Sequence, residues 1–248
     1  MKLIWSIAVK LAAFALLCYC GIRVIFDSSH WAIAVTVGII MVLSCPLSAI
    51  LHEAGHMLFG AAVKIRAVPD KGFIKDTFLN WWDSSSCKII PKTENGLRGR
   101  IIFTAIGGSA VNAIFVVLGI IALCVPSVPT ELCALLPASF HLLALNALPL
   151  NYDDGKSDGE IIIQLIKNND EAKVMLAVLK VQAQILKGKP IGEVDEKLLF
   201  DMPQIREDDI SFISLCELRA EYFAAIGDEG NAEKWRTRFE QLKEEYLE

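Results

Sequence analysis

From Trp31 to Leu51 the chain runs for 21 residues without a charge, and His-Glu-Ala-Gly-His follows at once as residues 52–56. At 1.5 Å per residue such a stretch covers about 31 Å, the thickness of a bilayer's hydrocarbon core. On a helix, His52 and His56 lie four residues apart and share a face. Two imidazoles so placed chelate a metal ion, and Glu53 beside them serves as general base for metal-bound water. Polar groups at this depth are costly, roughly 2.5–3.5 kcal/mol for an Asp at a helix centre. A chemical use for the pentapeptide is therefore the expectation that constrains everything else.

Three further apolar segments accompany it. Leu3 to Phe26 is interrupted only by Lys10 and Arg23, and no Ala-x-Ala-like site follows it, so a retained transmembrane helix is expected rather than a secretion signal. Ile101 to Pro126 has 26 uncharged residues and Leu132 to Asn151 has 20, with His141 its only titratable group. Each is long enough to cross, which predicts about four transmembrane helices. Pro46 is expected to bend the second helix. His141 reads as an interhelical hydrogen-bonding residue. Lys64 to Arg100 carries eight basic residues, whereas Pro126 to Glu131 carries none. The positive-inside tendency then puts that connection and both termini in the cytoplasm. Phe73, Phe78, Trp81 and Trp82 mark it as interfacial, and Cys87-Lys88-Ile89-Ile90 as strand-like, so a short β-like loop is expected there.

Charge changes sign along the chain. Residues 1–155 hold 11 Lys+Arg against 9 Asp+Glu, whereas residues 156–248 hold 13 against 20. An apolar front with an acidic back predicts a membrane core and a soluble helical tail, and the lack of a basic surface argues against nucleic acid. The seven cysteines follow no disulfide or metal spacing and read as small hydrophobes. In the tail, Glu160–Lys167, Glu171–Leu186, Ile210–Ile226 and Asn231–Leu247 read as amphipathic helices. The last two form a hairpin that loosely resembles a tetratricopeptide pair and is a candidate partner-binding module, beside the plainer reading of a packed helical cap. The expected organisation is an additional N-terminal transmembrane helix in 1–30, a core in 31–165 and a cytoplasmic helical tail in 166–248.

A catalytic zinc usually keeps three protein ligands and one open position. The third ligand is expected from the stretch Asn146 to Gly159, which holds Asp153, Asp154 and Asp158 with Gly after the last two. An aspartate-rich turn that caps the next helix explains the same residues, and both uses are compatible at Asp158.

His52-Glu53-Ala54-Gly55-His56 on one membrane helix, with Asn146, Pro149 and a downstream Asp-Gly after another, resembles the site-2 protease family of intramembrane zinc metallopeptidases. Gly107-Gly108-Ser109-Ala110-Val111-Asn112 is similar to that family's small-residue stretch in the intervening helix. The resemblance covers about residues 31–165 and implies an all-α polytopic fold with a three-helix metalloprotease core. It further implies one Zn2+ per chain held by His52, His56 and an aspartate, with Glu53 catalytic and Asn146 a substrate-orienting or oxyanion candidate. Asp154 matches one form of the family's pattern; Ser157-Asp158-Gly159 before an apolar helix fits another form better, so Asp158 is favoured with Asp154 as the alternative. The implied activity is zinc-dependent hydrolysis of membrane-embedded proteins or peptides in a prokaryotic cell membrane. The rival reading is an inactive membrane adaptor with a structural metal, whose tail recruits a protein partner.

Overall fold

The computed structural model describes residues 2–27, 31–69, 87–152 and 155–246. Phe73, Phe78, Trp81 and Trp82 therefore lie outside the described residues, as does Asp154. Three long helices come first: α1 (Lys2–Asp27), α2 (Trp31–Ala62) and α3 (Leu97–Cys124). Within them Ile4–Phe26, Gly38–Ala62 and Leu97–Cys124 are long and apolar enough to cross a membrane. Their outward faces carry Leu11, Phe14, Val42, Leu58, Ile114 and Val117, all exposed. A surface of that kind is stable against lipid rather than water.

The segment Leu132 to Asn151 is not one continuous α-helix. It consists of a 3-10 helix, Thr130–Leu135, that runs into α4 (Leu136–Asn146), followed by a bend at 147–148. Pro137 sits in the first turn of α4, where its missing N–H costs nothing. The eleven residues of α4 rise about 16 Å, and the six of the 3-10 helix add about 12 Å to that. The last carbonyls of α4 precede Pro149, which cannot extend the helix.

The backbones of α2 and α3 come into direct contact. A Cβ on Gly55 would run into the carbonyl oxygen of Gly107, and one on Gly107 would lie 2.5 Å from the carbonyl oxygen of Gly55. Small residues permit this approach where no apolar driving force separates helix from lipid. At the end of α2 the chain turns through Lys64 in the left-handed region (φ 60°) into a two-stranded antiparallel sheet, β1 (Ile65–Pro69) against β2 (Cys87–Pro91), with Ala67 opposite Ile89. Arg100 closes this corner. Its guanidinium donates to the carbonyls of Val63 (2.5 Å), Lys64 (2.7 Å), Thr93 (3.0 Å) and Asn95 (3.2 Å) and to the Thr93 hydroxyl. One planar fork thus satisfies the chain ends that helix geometry leaves open. α2 continues through Pro46, and Ser44 Oγ is shared between the carbonyls of Met41 and Ala134, joining α2 to the 3-10 helix.

After α4, a tight hairpin of β3 (Asn151–Tyr152) and β4 (Gly155–Lys156) leads into α5 (Asp158–Lys167). The tail continues as α6 (Asp170–Leu186), the single turn α7 (Lys197–Phe200), α8 (Ile210–Ala225) and α9 (Glu229–Tyr246). Asn168 in the left-handed region joins α5 to α6, and Asn169 caps α6 through the N–H of Ala172. Val174, Val181, Leu199, Ile213, Leu215 and Leu242 form the tail's core. Arg219 donates to the Leu199 carbonyl and lies over the Trp235 ring at 4.5 Å. A second cluster, Ile65, Leu97, Ile101, Leu165, Ala172 and Leu179, packs the tail onto the ends of α2 and α3, so packing is continuous across residue 166.

Gly107→Val is expected to force α2 and α3 apart and to lower the thermal midpoint in detergent by an amount equivalent to about 1–3 kcal/mol or more. Gly21→Val, at a position with nothing within 4 Å, should leave the midpoint unchanged. Melting curves of the two purified variants make the comparison.

Candidate metal centre

On α2, Ser44, Ser48, His52, His56 and Gly60 recur every four residues and form one ridge of the helix. On α3, Arg100, Thr104, Gly108 and Asn112 form another with the same period. The Gly55–Gly107 contact presses the ridges together, and Gly108 then lies under both imidazoles. A Cβ there would stand 2.5 Å from His56 Nε2 and 2.6 Å from His52 Nε2. The two rings are nearly perpendicular, 84° apart in plane, with centroids 4.8 Å from each other.

The donor atoms converge. His52 Nε2 and His56 Nε2 are 3.1 Å apart. Asp158, the first residue of α5, places Oδ2 3.4 Å from His52 Nε2 and Oδ1 3.3 Å from His56 Nε2. Ligands held about 2.0–2.1 Å from a tetrahedral ion stand about 3.3–3.4 Å from one another. The separations of 3.1–3.4 Å are close to that spacing, with one Asp158 oxygen facing each imidazole, so a small metal ion could sit among these side chains. Glu53 is 1% exposed, and a ligand atom from each of His52, Glu53 and His56 lies within 4.8 Å of the others.

Each imidazole has a partner on its far nitrogen, which decides what its near nitrogen can do. His56 Nδ1 lies 2.9 Å from the Thr104 carbonyl oxygen. A carbonyl only accepts, so Nδ1 carries the proton, and in the neutral ring Nε2 then keeps its lone pair for a metal. His52 Nδ1 lies 2.9 Å from the Asn112 side-chain amide, which in turn faces Ser48 Oγ at 3.3 Å; Ser48 Oγ is 2.9 Å from Ser139 Oγ on α4. In the structure the amide nitrogen faces His52 Nδ1 and the amide oxygen accepts from Ser48 Oγ. Metal binding through His52 Nε2 calls for the proton on Nδ1, which the amide meets when turned over, with its oxygen toward the ring and its nitrogen toward Ser48. Ser109 Oγ donates to Asp158 Oδ2 at 3.2 Å. Burial raises the Asp158 carboxyl's pKa, the two imidazoles beside it lower it, and the balance leaves it at about 2. An ionised carboxylate is the form that coordinates.

The site therefore unites His52, His56, Glu53 and Asp158. Asn146 is buried at the end of α4, with its amide nitrogen donating to the Leu142 carbonyl of its own helix at 3.1 Å. Asp154, the alternative ligand, is outside the described residues. The sequence did not single out Ser48, Thr104 or Ser139, and offered Ser109 and Asn112 only as part of a small-residue stretch. The available signal was the four-residue recurrence of polar and small residues inside otherwise apolar helices.

Comparison of the chain with protein-family models, with curated proteins and with solved structures finds no match. The geometry of these residues is what carries the functional reading.

Asn112→Leu should weaken metal binding about 10–100-fold, the usual effect of removing a hydrogen-bond partner behind a ligating imidazole. Titrating the metal-free protein with Zn2+ against a chromogenic chelator measures it, with Asn95→Leu, at the exposed start of α3, as the unaffected control.

Proposed function

We propose that the protein is an intramembrane zinc metalloendopeptidase of the site-2 protease kind. The observation that carries this reading is a buried carboxylate, Glu53, beside three donors at tetrahedral spacing within a span apolar enough to cross a membrane. Two imidazoles and a carboxylate at that spacing favour Zn2+ among the common ions. Such an ion, when bound, acidifies a water at its open position and polarises the carbonyl to be attacked.

The chain's own residues supply the rest. His52, His56 and Asp158 hold the centre, each fixed by a partner on its outer side. Glu53 takes the proton from the attacking water and delivers it to the leaving amine of the cleaved peptide. Close packing by Gly108 and the apolar face of α2 keep bulk water out, which strengthens both steps. The β1–β2 pair at the end of α2 offers an edge on which an extended substrate segment can pair, since a helical one hides its peptide groups. In this reading α4 with its preceding 3-10 helix makes a fourth passage through the membrane, and both termini with the tail lie on the cytoplasmic side, where the basic connection is. Substrates are membrane proteins or peptides. A structural metal in an inactive adaptor needs no general base beside it.

Comparative peptidomics of membranes carrying the wild type or Glu53→Gln tests the reaction. Products present with the wild type and absent with the variant are expected; identical peptide sets would refute the activity. Removing the metal with a chelator should abolish cleavage, and adding Zn2+ should restore it. The third ligand is tested separately: Asp158→Asn should lose bound zinc and cleavage while Asp154→Asn retains both, and the opposite pattern assigns the ligand to Asp154.

A further inference from the structure

One buried ion pair has no part in the chemistry above. Lys156, two residues before Asp158, places Nζ 2.5 Å from Asp209 Oδ2 and 3.0 Å from Gln164 Oε1. Its side chain is 18% exposed and that of Asp209 only 5%. By contrast, the tail's pairs Lys173–Asp170 and Arg236–Glu233 are about half exposed on both sides, where ion pairs contribute little. A buried charge is tolerated when its partner is in place, and losing that partner is strongly unfavourable.

Asp209 divides its oxygens between two tasks. Oδ1 accepts the N–H of Ser211 at 2.9 Å and starts α8, while Oδ2 holds Lys156. Gln164, which shares Lys156, also donates to Glu160 at 2.8 Å, so the lysine is tied to α5 as well as to α8. Between Lys156 and Asp158, Ser157 Oγ donates to the Leu148 carbonyl at 2.6 Å and accepts from the N–H groups of Leu150 and Glu160. The segment bearing Asp158 is thus held by the chain leaving α4 and by a charge from the tail.

We infer that Asp209 is a positioning residue for the metal centre: through Lys156 it holds the Asp158 segment where that carboxylate meets His52 and His56. The role rests on the metal-centre reading proposed above and adds to it that the tail is a working part of the site. A partner that shifts α8 would loosen the third ligand without touching the membrane helices.

Full-length protein in detergent, stripped of metal, is titrated with Zn2+ against a chelator, and its visible absorption is recorded with Co2+. Asp209→Asn keeps an oxygen to cap α8 but removes the charge; Lys156→Gln leaves the cap untouched. Each is expected to weaken Zn2+ binding about tenfold and to alter the Co2+ ligand-field bands. The double variant should be no weaker than either single one, because both remove the same interaction. Lys156→Arg, which keeps the charge, should restore binding. Hydrogen exchange across α8 and α9 should stay as in the wild type for Lys156→Gln, which separates positioning from unfolding of the tail. Wild-type affinity and Co2+ spectra in both Lys156→Gln and Asp209→Asn overturn the inference while the metal centre stands. A wild type that binds no Zn2+, like His56→Ala, overturns the metal centre and the inference together.

Discussion

Contact between the backbones of α2 and α3 at Gly55 and Gly107 sets the distance on which the site depends. Lipid gives two apolar helices little reason to associate, so packing and interhelical hydrogen bonds must do it. Here both come from the same faces. The glycines allow the approach, and the approach brings the Thr104 carbonyl and the Asn112 amide within reach of the two imidazoles. A side chain as small as alanine at residue 108 would occupy the space beneath the rings.

Polar groups inside these helices are consequently few and linked. Ser139, Ser48, Asn112 and His52 form a chain of contacts from α4 through α2 to α3, and Ser109 touches the carboxylate that faces the rings. Networks of this kind are worth having only when fully satisfied, since each orphaned member is expensive in a medium of low dielectric. Arg100 does comparable work at the membrane edge, where it gathers the carbonyls that end α2.

Much of this was legible in the residues. The uncharged runs located three long helices, and His-Glu-x-x-His located the centre. Ser157-Asp158-Gly159, favoured through the resemblance, holds the aspartate that faces the imidazoles. Within Leu132 to Asn151 the α-helix is shorter than the apolar run, because hydropathy counts apolar residues and registers neither the change from 3-10 to α geometry at Leu136 nor the stop before Pro149. Asn146, a candidate through the resemblance alone, is buried with its amide nitrogen donating to its own helix. The Lys156–Asp209 pair was invisible, since nothing local relates a hairpin lysine to the start of a distant helix. Only tertiary packing brings them together.

The four-residue ridges carry a consequence for how such a chain can vary. Each added residue turns the remainder of a helix by about 100°. An insertion between Ser48 and His56 would leave the hydrophobicity of α2 untouched and still swing the downstream imidazole out toward the acyl chains. Lipid-facing positions can therefore drift widely in identity, whereas the number of residues from Ser44 to Gly60 is fixed as firmly as the ligands themselves.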